Sequence, residues 1–172
     1  YLYQIQNKFR NEKRAKSGLL RGREFSMKDL YSFHTDESDL DRYYMVVHDA
    51  YLKIFKRLGL EAFSVEASGG AMSKQFSHEF MVKTEAGEDL TVLCSKCLWA
   101  QNAEIAQAKA GDKCPDCGAV LTVAKTVEAG NIFRLGTKYS HALGLTYTDR
   151  NGQSHDVLMG SYGIGLGRVM GT

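Results

Sequence analysis

The 172-residue sequence has no apolar run approaching the roughly 18 residues that cross a bilayer as a helix. Its start, Tyr-Leu-Tyr-Gln-Ile-Gln, lacks the charged and apolar regions of a signal peptide, so a cytoplasmic location without membrane contact is expected. There is no Walker-type phosphate loop. No βαβ pattern precedes the glycines at 163, 165 and 167, which argues against a dinucleotide fold. The sequence also lacks an initiator Met, opens in a strand-like pattern and stops at Gly171-Thr172 just past a glycine-rich stretch. A piece of a longer protein is expected.

Apolar content of 44% and charge of 24% are ordinary globular values, enough for one core and a small stapled module. The net charge of +2 hides an uneven distribution. Lys8, Arg10, Lys13, Arg14, Lys16, Arg21 and Arg23 crowd the first segment against Glu12 and Glu24 alone. Around them two patterns alternate: Tyr3, Ile5, Asn7 and Phe9, then Phe25, Met27, Asp29, Tyr31 and Phe33. They predict two antiparallel strands joined by a long basic tip. Arg10 and Glu12 then share a face. A guanidinium beside a carboxylate, with an aromatic ring returning on the neighbouring strand, can hold a phosphate, an amino group and a flat base together. That combination suits ATP.

Farther along, apolar positions from Leu40 to Leu58 follow helical spacing behind a cap at Asp36 or Ser38, and Gly59 is a natural stop. His48 on this helix reads as structural. Residues 60–67 and 77–83 predict strands flanking a loop of small residues that lets a ligand or backbone approach closely. Cys94, Cys97, Cys114 and Cys117 form C-x2-C-x16-C-x2-C, the spacing of a four-thiolate zinc ribbon, and Pro115 and Gly118 suit the second turn. Four sulfurs leave no open position for water, so such a zinc is structural. Unliganded core cysteines, a disulfide or a redox switch are the competing readings. Residues 99–110 are Ala-rich and predict a short helix between the knuckles. Strands at 143–148 and 155–159 flank an Asn151-Gly152 turn, and residues 160–163 lead into a last glycine loop ending at Arg168.

Phe9-Arg10-Asn11-Glu12, the basic loop and Arg21-x-x-x-Phe25 resemble motif 2 of class II aminoacyl-tRNA synthetases, and Gly163-Ile164-Gly165-Leu166-Gly167-Arg168 resembles motif 3. The stretches from Arg23 to His34, Ser77 to Phe80 and Leu135 to Ser140 are similar to bacterial-type prolyl-tRNA synthetases. The resemblance covers nearly the whole chain. It implies an α+β fold, an antiparallel sheet flanked by helices, divided into core (1–84), zinc-ribbon-like insertion (85–127) and core (128–172). It implies activation of proline with ATP and Mg2+, then transfer to tRNA(Pro), with a homodimer in the intact protein.

In that family Arg10 would bind the α-phosphate, Glu12 the adenine amino group and Arg21 the phosphates. Phe25 would stack on adenine, and Arg168 would hold the γ-phosphate and cover the ring. His78, Glu79, Asn131 and Ser161 would line the amino-acid pocket, and Lys13, Arg14 and Lys16 would meet the tRNA acceptor end. Related sequences often carry His where Asn131 stands. The large editing domain that many such enzymes carry between motifs 2 and 3 is absent, and the short insertion is expected to offer no second pocket. The alternatives are a threonyl, seryl or glycyl enzyme, a non-catalytic synthetase-like paralogue, or a zinc-ribbon module that binds nucleic acid.

Overall fold

The computed structural model describes residues 1–172. Strands β1 (Leu2–Phe9) and β2 (Glu24–His34) pair antiparallel, from Leu2 opposite Tyr31 to Phe9 opposite Glu24, in the register their alternation predicts. Helix α1 (Glu37–Arg57) follows. The Asp36 side chain accepts a hydrogen bond from Asp39 N at 2.9 Å, and Gly59 ends the helix with φ 79°, where a side chain would be strained.

The chain then gives β3 (Phe63–Ala67), β4 (Ser77–Lys83), β5 (Asp89–Cys94), β6 (Ala100–Asn102) and β7 (Leu121–Gly136). Helix α2 (Lys138–Leu143), a small hairpin of β8 (Thr146–Thr148) and β9 (Ser154–Asp156), strand β10 (Leu158–Gly165) and helix α3 (Leu166–Gly171) complete it. The main sheet runs β1-β2-β10-β7-β4-β3-β6-β5, and β5 also pairs with the first part of β7. Strands β7, β4, β3, β6 and β5 therefore close into a ring. All pairs are antiparallel except β3–β6, a single bridge between Glu66 and Gln101.

One face of the sheet is covered by α1. Tyr44, Val47, Tyr51 and Phe55 pack on Phe80, Val82, Ala129, Ile132, Tyr162 and Ile164 to form the main core. Strand alternation turns Phe25, Asp29, Glu79, Asn131 and Ser161 to the opposite face. Between these faces the strands lie close. A Cβ on Gly130 would stand 2.9 Å from the Gly163 carbonyl oxygen and 3.2 Å from Phe55 Cζ.

Four expectations are corrected. Residues 99–110 form no helix, because the first part of the segment is tied into pairing: Cys94 N donates to Trp99 O, Ala100–Asn102 form β6 and Ala103 N donates to Leu90 O, which leaves too few free residues to nucleate a helix. The boundary between residues 127 and 128 falls inside β7, so the insertion grows from the core sheet rather than standing beside it. The strand expected at 143–148 spans only Thr146–Thr148, and that at 155–159 is divided at Val157 into β9 and β10. The glycines at 160, 163 and 165 lie within strand β10, and α3 starts directly after them.

Candidate active site

A cavity of about 120 Å3 opens where the β1–β2 tip meets the end of β10. Arg10, Glu12, Arg21, Phe25 and Arg168 all line it, although Arg168 is remote from the others in the chain. The Arg10 backbone is pinned by its N–H donating to Arg23 O at 2.9 Å, and its guanidinium carbon lies 5.1 Å from the centre of the Phe25 ring. No carboxylate stands within ion-pair distance of Arg10, in contrast to Arg21 and Arg168.

Arg21 donates through Nε to Glu12 at 2.9 Å and through Nη1 to Glu88 at 2.7 Å. Its hydrogen bond, with one from the Arg14 backbone, holds the Glu12 carboxyl below its ordinary range. Arg168 donates Nε to Leu20 O at 3.0 Å and Nη1 to the Glu128 side chain at 2.9 Å. Two of the three guanidinium groups at the cavity, Arg21 and Arg168, are thus paired with Glu12, Glu88 and Glu128, and Arg10 is not. A polyanion entering it would exchange with these carboxylates at Arg21 and Arg168 and meet an uncompensated charge at Arg10.

Beside this cavity, on the same face, Glu79 opposes Asn131 across β4 and β7, and Asn131 opposes Gly163 on β10, with Ser161 two residues along. Asn131 Nδ2 lies 3.5 Å from one Glu79 oxygen, and Asn102 Nδ2 donates to the other at 3.1 Å. Loss of water, reinforced by the nearby Glu128 charge, pushes the Glu79 carboxyl up to about 7. His78 does not join this group. One residue earlier on the strand, it projects to the α1 face, where Nδ1 lies 2.8 Å from the Tyr44 hydroxyl and its ring 5.5 Å from that of His48. Burial there lowers its pKa, as fits an imidazole packed in a core.

The tip residues Lys13, Arg14 and Lys16 are exposed, and Lys16 reaches Glu88 at 3.1 Å. The four cysteines come together: their sulfurs all lie within 4.8 Å of one another, with Cys94–Cys117 at 3.4 Å and Cys97–Cys114 at 3.6 Å. Edges of about 3.8 Å are what Zn–S bonds of about 2.3 Å require of a tetrahedron. None is in a disulfide. Backbone amides of Lys96 and Cys97 hold the Cys94 thiol down to about 6, ready to serve as a thiolate ligand. These residues fit one tetrahedral zinc.

The insertion also leaves a groove of about 950 Å3 against α1, lined by Leu52, Phe63, Leu98 and Trp99 among others, where no second pocket was expected. It lies on the α1 side of the sheet, away from Glu79. Sequence reasoning missed Glu88, Glu128, Asn102 and Asp29. The last is buried on the site face and ion-paired with Lys8 at 2.6 Å. Single acids and amides carry no pattern; only the excess of basic groups around 8–23 signalled that acidic partners were needed.

A family model for the tRNA synthetase class II core domain (G, H, P, S and T) matches residues 1–172. A proline--tRNA ligase of Sulfurimonas denitrificans is 42% identical over 98% of this chain and 43% of its own length. A probable mitochondrial proline--tRNA ligase of Rattus norvegicus is 42% identical over 169 residues, 98% of this chain and 35% of its own length. The chain thus spans well under half the length of these relatives. A proline--tRNA ligase of Moorella thermoacetica, 29% identical, aligns with the same 98% over 317 residues and so carries a long insertion relative to this chain. Among solved structures, prolyl-tRNA synthetase of Cryptosporidium parvum complexed with L-proline and AMP superposes with a TM-score of 0.67 at 13% identity. The match covers 98% of this chain and 29% of that one.

Proposed function

The chain belongs to the class II tRNA synthetase core family, and on that premise we propose that it forms the ATP-dependent activating centre of an enzyme that charges tRNA(Pro) with proline. The observation that carries the reading is the convergence of Arg10, Glu12, Arg21, Phe25 and Arg168 on one cavity. In the first step a proline carboxylate oxygen attacks the α-phosphorus of ATP, and pyrophosphate leaves as the prolyl-adenylate forms. In the second, a terminal hydroxyl of the tRNA attacks the prolyl carbonyl carbon and AMP leaves. Neither step needs a side-chain nucleophile. Both need alignment and compensation of charge on phosphate oxygens.

Arg10, free of acidic partners, is the group we assign to the α-phosphate. Phe25 offers one wall for adenine and the Arg168 guanidinium the other, with Glu12 accepting from the adenine amino group. As the triphosphate enters, it displaces Glu88 from Arg21 and Glu128 from Arg168. The exposed Lys13 and Arg14 suit the phosphates of the tRNA acceptor end. Mg2+ would neutralise the triphosphate further. Glu79, Asn131 and Ser161 are the side we assign to the amino acid. The zinc would hold the β5–β6 turn and take no part in the chemistry.

Full-length protein should exchange labelled pyrophosphate into ATP when proline is supplied. Exchange with threonine, serine or glycine and not with proline would overturn the specificity. No exchange with any amino acid would favour a non-catalytic paralogue.

A further inference from the structure

The insertion does more than replace a missing domain, because one of its side chains ends on the amino-acid side of the site. Asn102 closes β6 and is 8% exposed. Its amide is oriented without ambiguity. Oδ1 accepts from Glu104 N at 3.0 Å, which leaves Nδ2 to donate to Glu79 Oε2 at 3.1 Å. Strand β6 is only three residues long and meets the core through one bridge, Glu66 to Gln101, and the Gln101–Glu66 side-chain bond of 2.7 Å. Its position is therefore set mainly by β5, with Thr91 opposite Asn102 and Leu93 opposite Ala100. The turn joining β5 to β6 contains Cys94 and Cys97, closed by Cys94 N donating to Trp99 O at 3.0 Å. An ion on these sulfurs thus fixes a turn whose far strand delivers Asn102.

We propose that Asn102 is the positioning residue for Glu79, through which the four-cysteine module sets the amino-acid pocket. The inference rests on the reading of Glu79 as an amino-acid contact. With Oε2 held by Asn102, Oε1 keeps a single, long hydrogen bond, from Asn131 Nδ2 at 3.5 Å. An ionised Glu79 can then receive the cationic amino group of the substrate. The charged groups that face Glu79 are Glu128 on β7, Asp89 on β5 and Glu104 beyond β6, all acidic, and they oppose its ionisation. The Asn102 hydrogen bond works the other way. Removing it leaves less of Glu79 ionised near neutral pH.

Two variants of the full-length protein separate this role from general support of the fold. Asn102→Asp keeps the acceptor for Glu104 N but cannot donate to Glu79, and Asn102→Ala loses both. In each, KM for proline should rise at least about tenfold at pH 7 with kcat for exchange within about twofold, as fits loss of a hydrogen bond to a charged group. The difference from wild type should close as pH rises toward 9, later for Asn102→Asp because it adds a like charge. An unchanged KM, or a loss equal at both pH values, overturns the proposal. A second readout does not depend on the substrate: the Asn102 side-chain amide, observed by selective 15N-asparagine labelling, should titrate with Glu79 and lose that titration on chelation of the metal. If the amide behaves so while proline supports no exchange, the coupling stands and the substrate reading falls. An amide that neither titrates nor responds to chelation refutes the coupling whatever the substrate.

Discussion

Replacing Arg10 by Ala separates chemistry from folding better than any other change in the cavity. The guanidinium is bound by no carboxylate, and its side-chain contact in the structure is the stacking on Phe25 at 5.1 Å. An exposed contact of that kind is worth about 0.5–1 kcal/mol. The strand pairing that carries Arg10 is made by its backbone, through Arg23 O, and survives truncation. Stability should therefore fall by about 1 kcal/mol at most. If Arg10 meets the α-phosphate as proposed, the transition state should lose far more, because a positive charge aimed at a reacting phosphate in a partly desolvated site is worth at least about 3 kcal/mol, a rate loss beyond about a hundredfold. Arg10→Lys should fall between, keeping the charge but not the paired donors. The assay is proline-dependent pyrophosphate exchange in the full-length protein, with thermal melting as control. Near-normal exchange by Arg10→Ala, or a melting temperature that falls along with the activity, would refute the assignment.

Two further outcomes are expected. Protein purified without chelator should contain about one equivalent of zinc. Its removal should speed hydrogen exchange across residues 94–121 far more than in the Tyr44–Phe80–Tyr162 core, since the apolar cluster around the cysteines has just four buried members, Val92, Cys94, Cys114 and Leu121. Zinc-free protein with four titrating thiols and unaltered exchange would decide for structural cysteines. Full-length protein mixed with alanyl-tRNA for proline should not deacylate it above the spontaneous rate. The groove against α1 has the size for an aminoacyl ester, but it is largely apolar and lies on the opposite face of the sheet from Glu79. Rapid deacylation abolished by a bulky substitution at Leu98 would make that groove an editing site.

The chain's own pattern of residues determined the β1–β2 pairing, α1 and the four-cysteine cluster. Each is written in local spacing: period two over Tyr3–Phe9 and Phe25–Phe33, period 3.6 from Leu40 to Leu58, and two C-x2-C knuckles. Arg10, Glu12, Arg21 and Phe25 could be assembled in advance because one hairpin carries them all. The fit of these residues to ATP was read from their chemistry; the role of Arg168 came from resemblance, and the fold then brought Arg168 to the same cavity. The rest belonged to tertiary structure. Whether His78 or its neighbour Glu79 faces the site depends on which side of the sheet α1 covers, and a one-residue difference in phase exchanges the faces. The propensity of residues 99–110 for helix was overridden because residues 99–103 are committed to pairing with β5. Glu88, Glu128 and Asn102 reach the site from strands and loops remote in sequence. Their roles arise from where the ring of β7, β4, β3, β6 and β5 closes, and long-range closure of that kind leaves no local pattern.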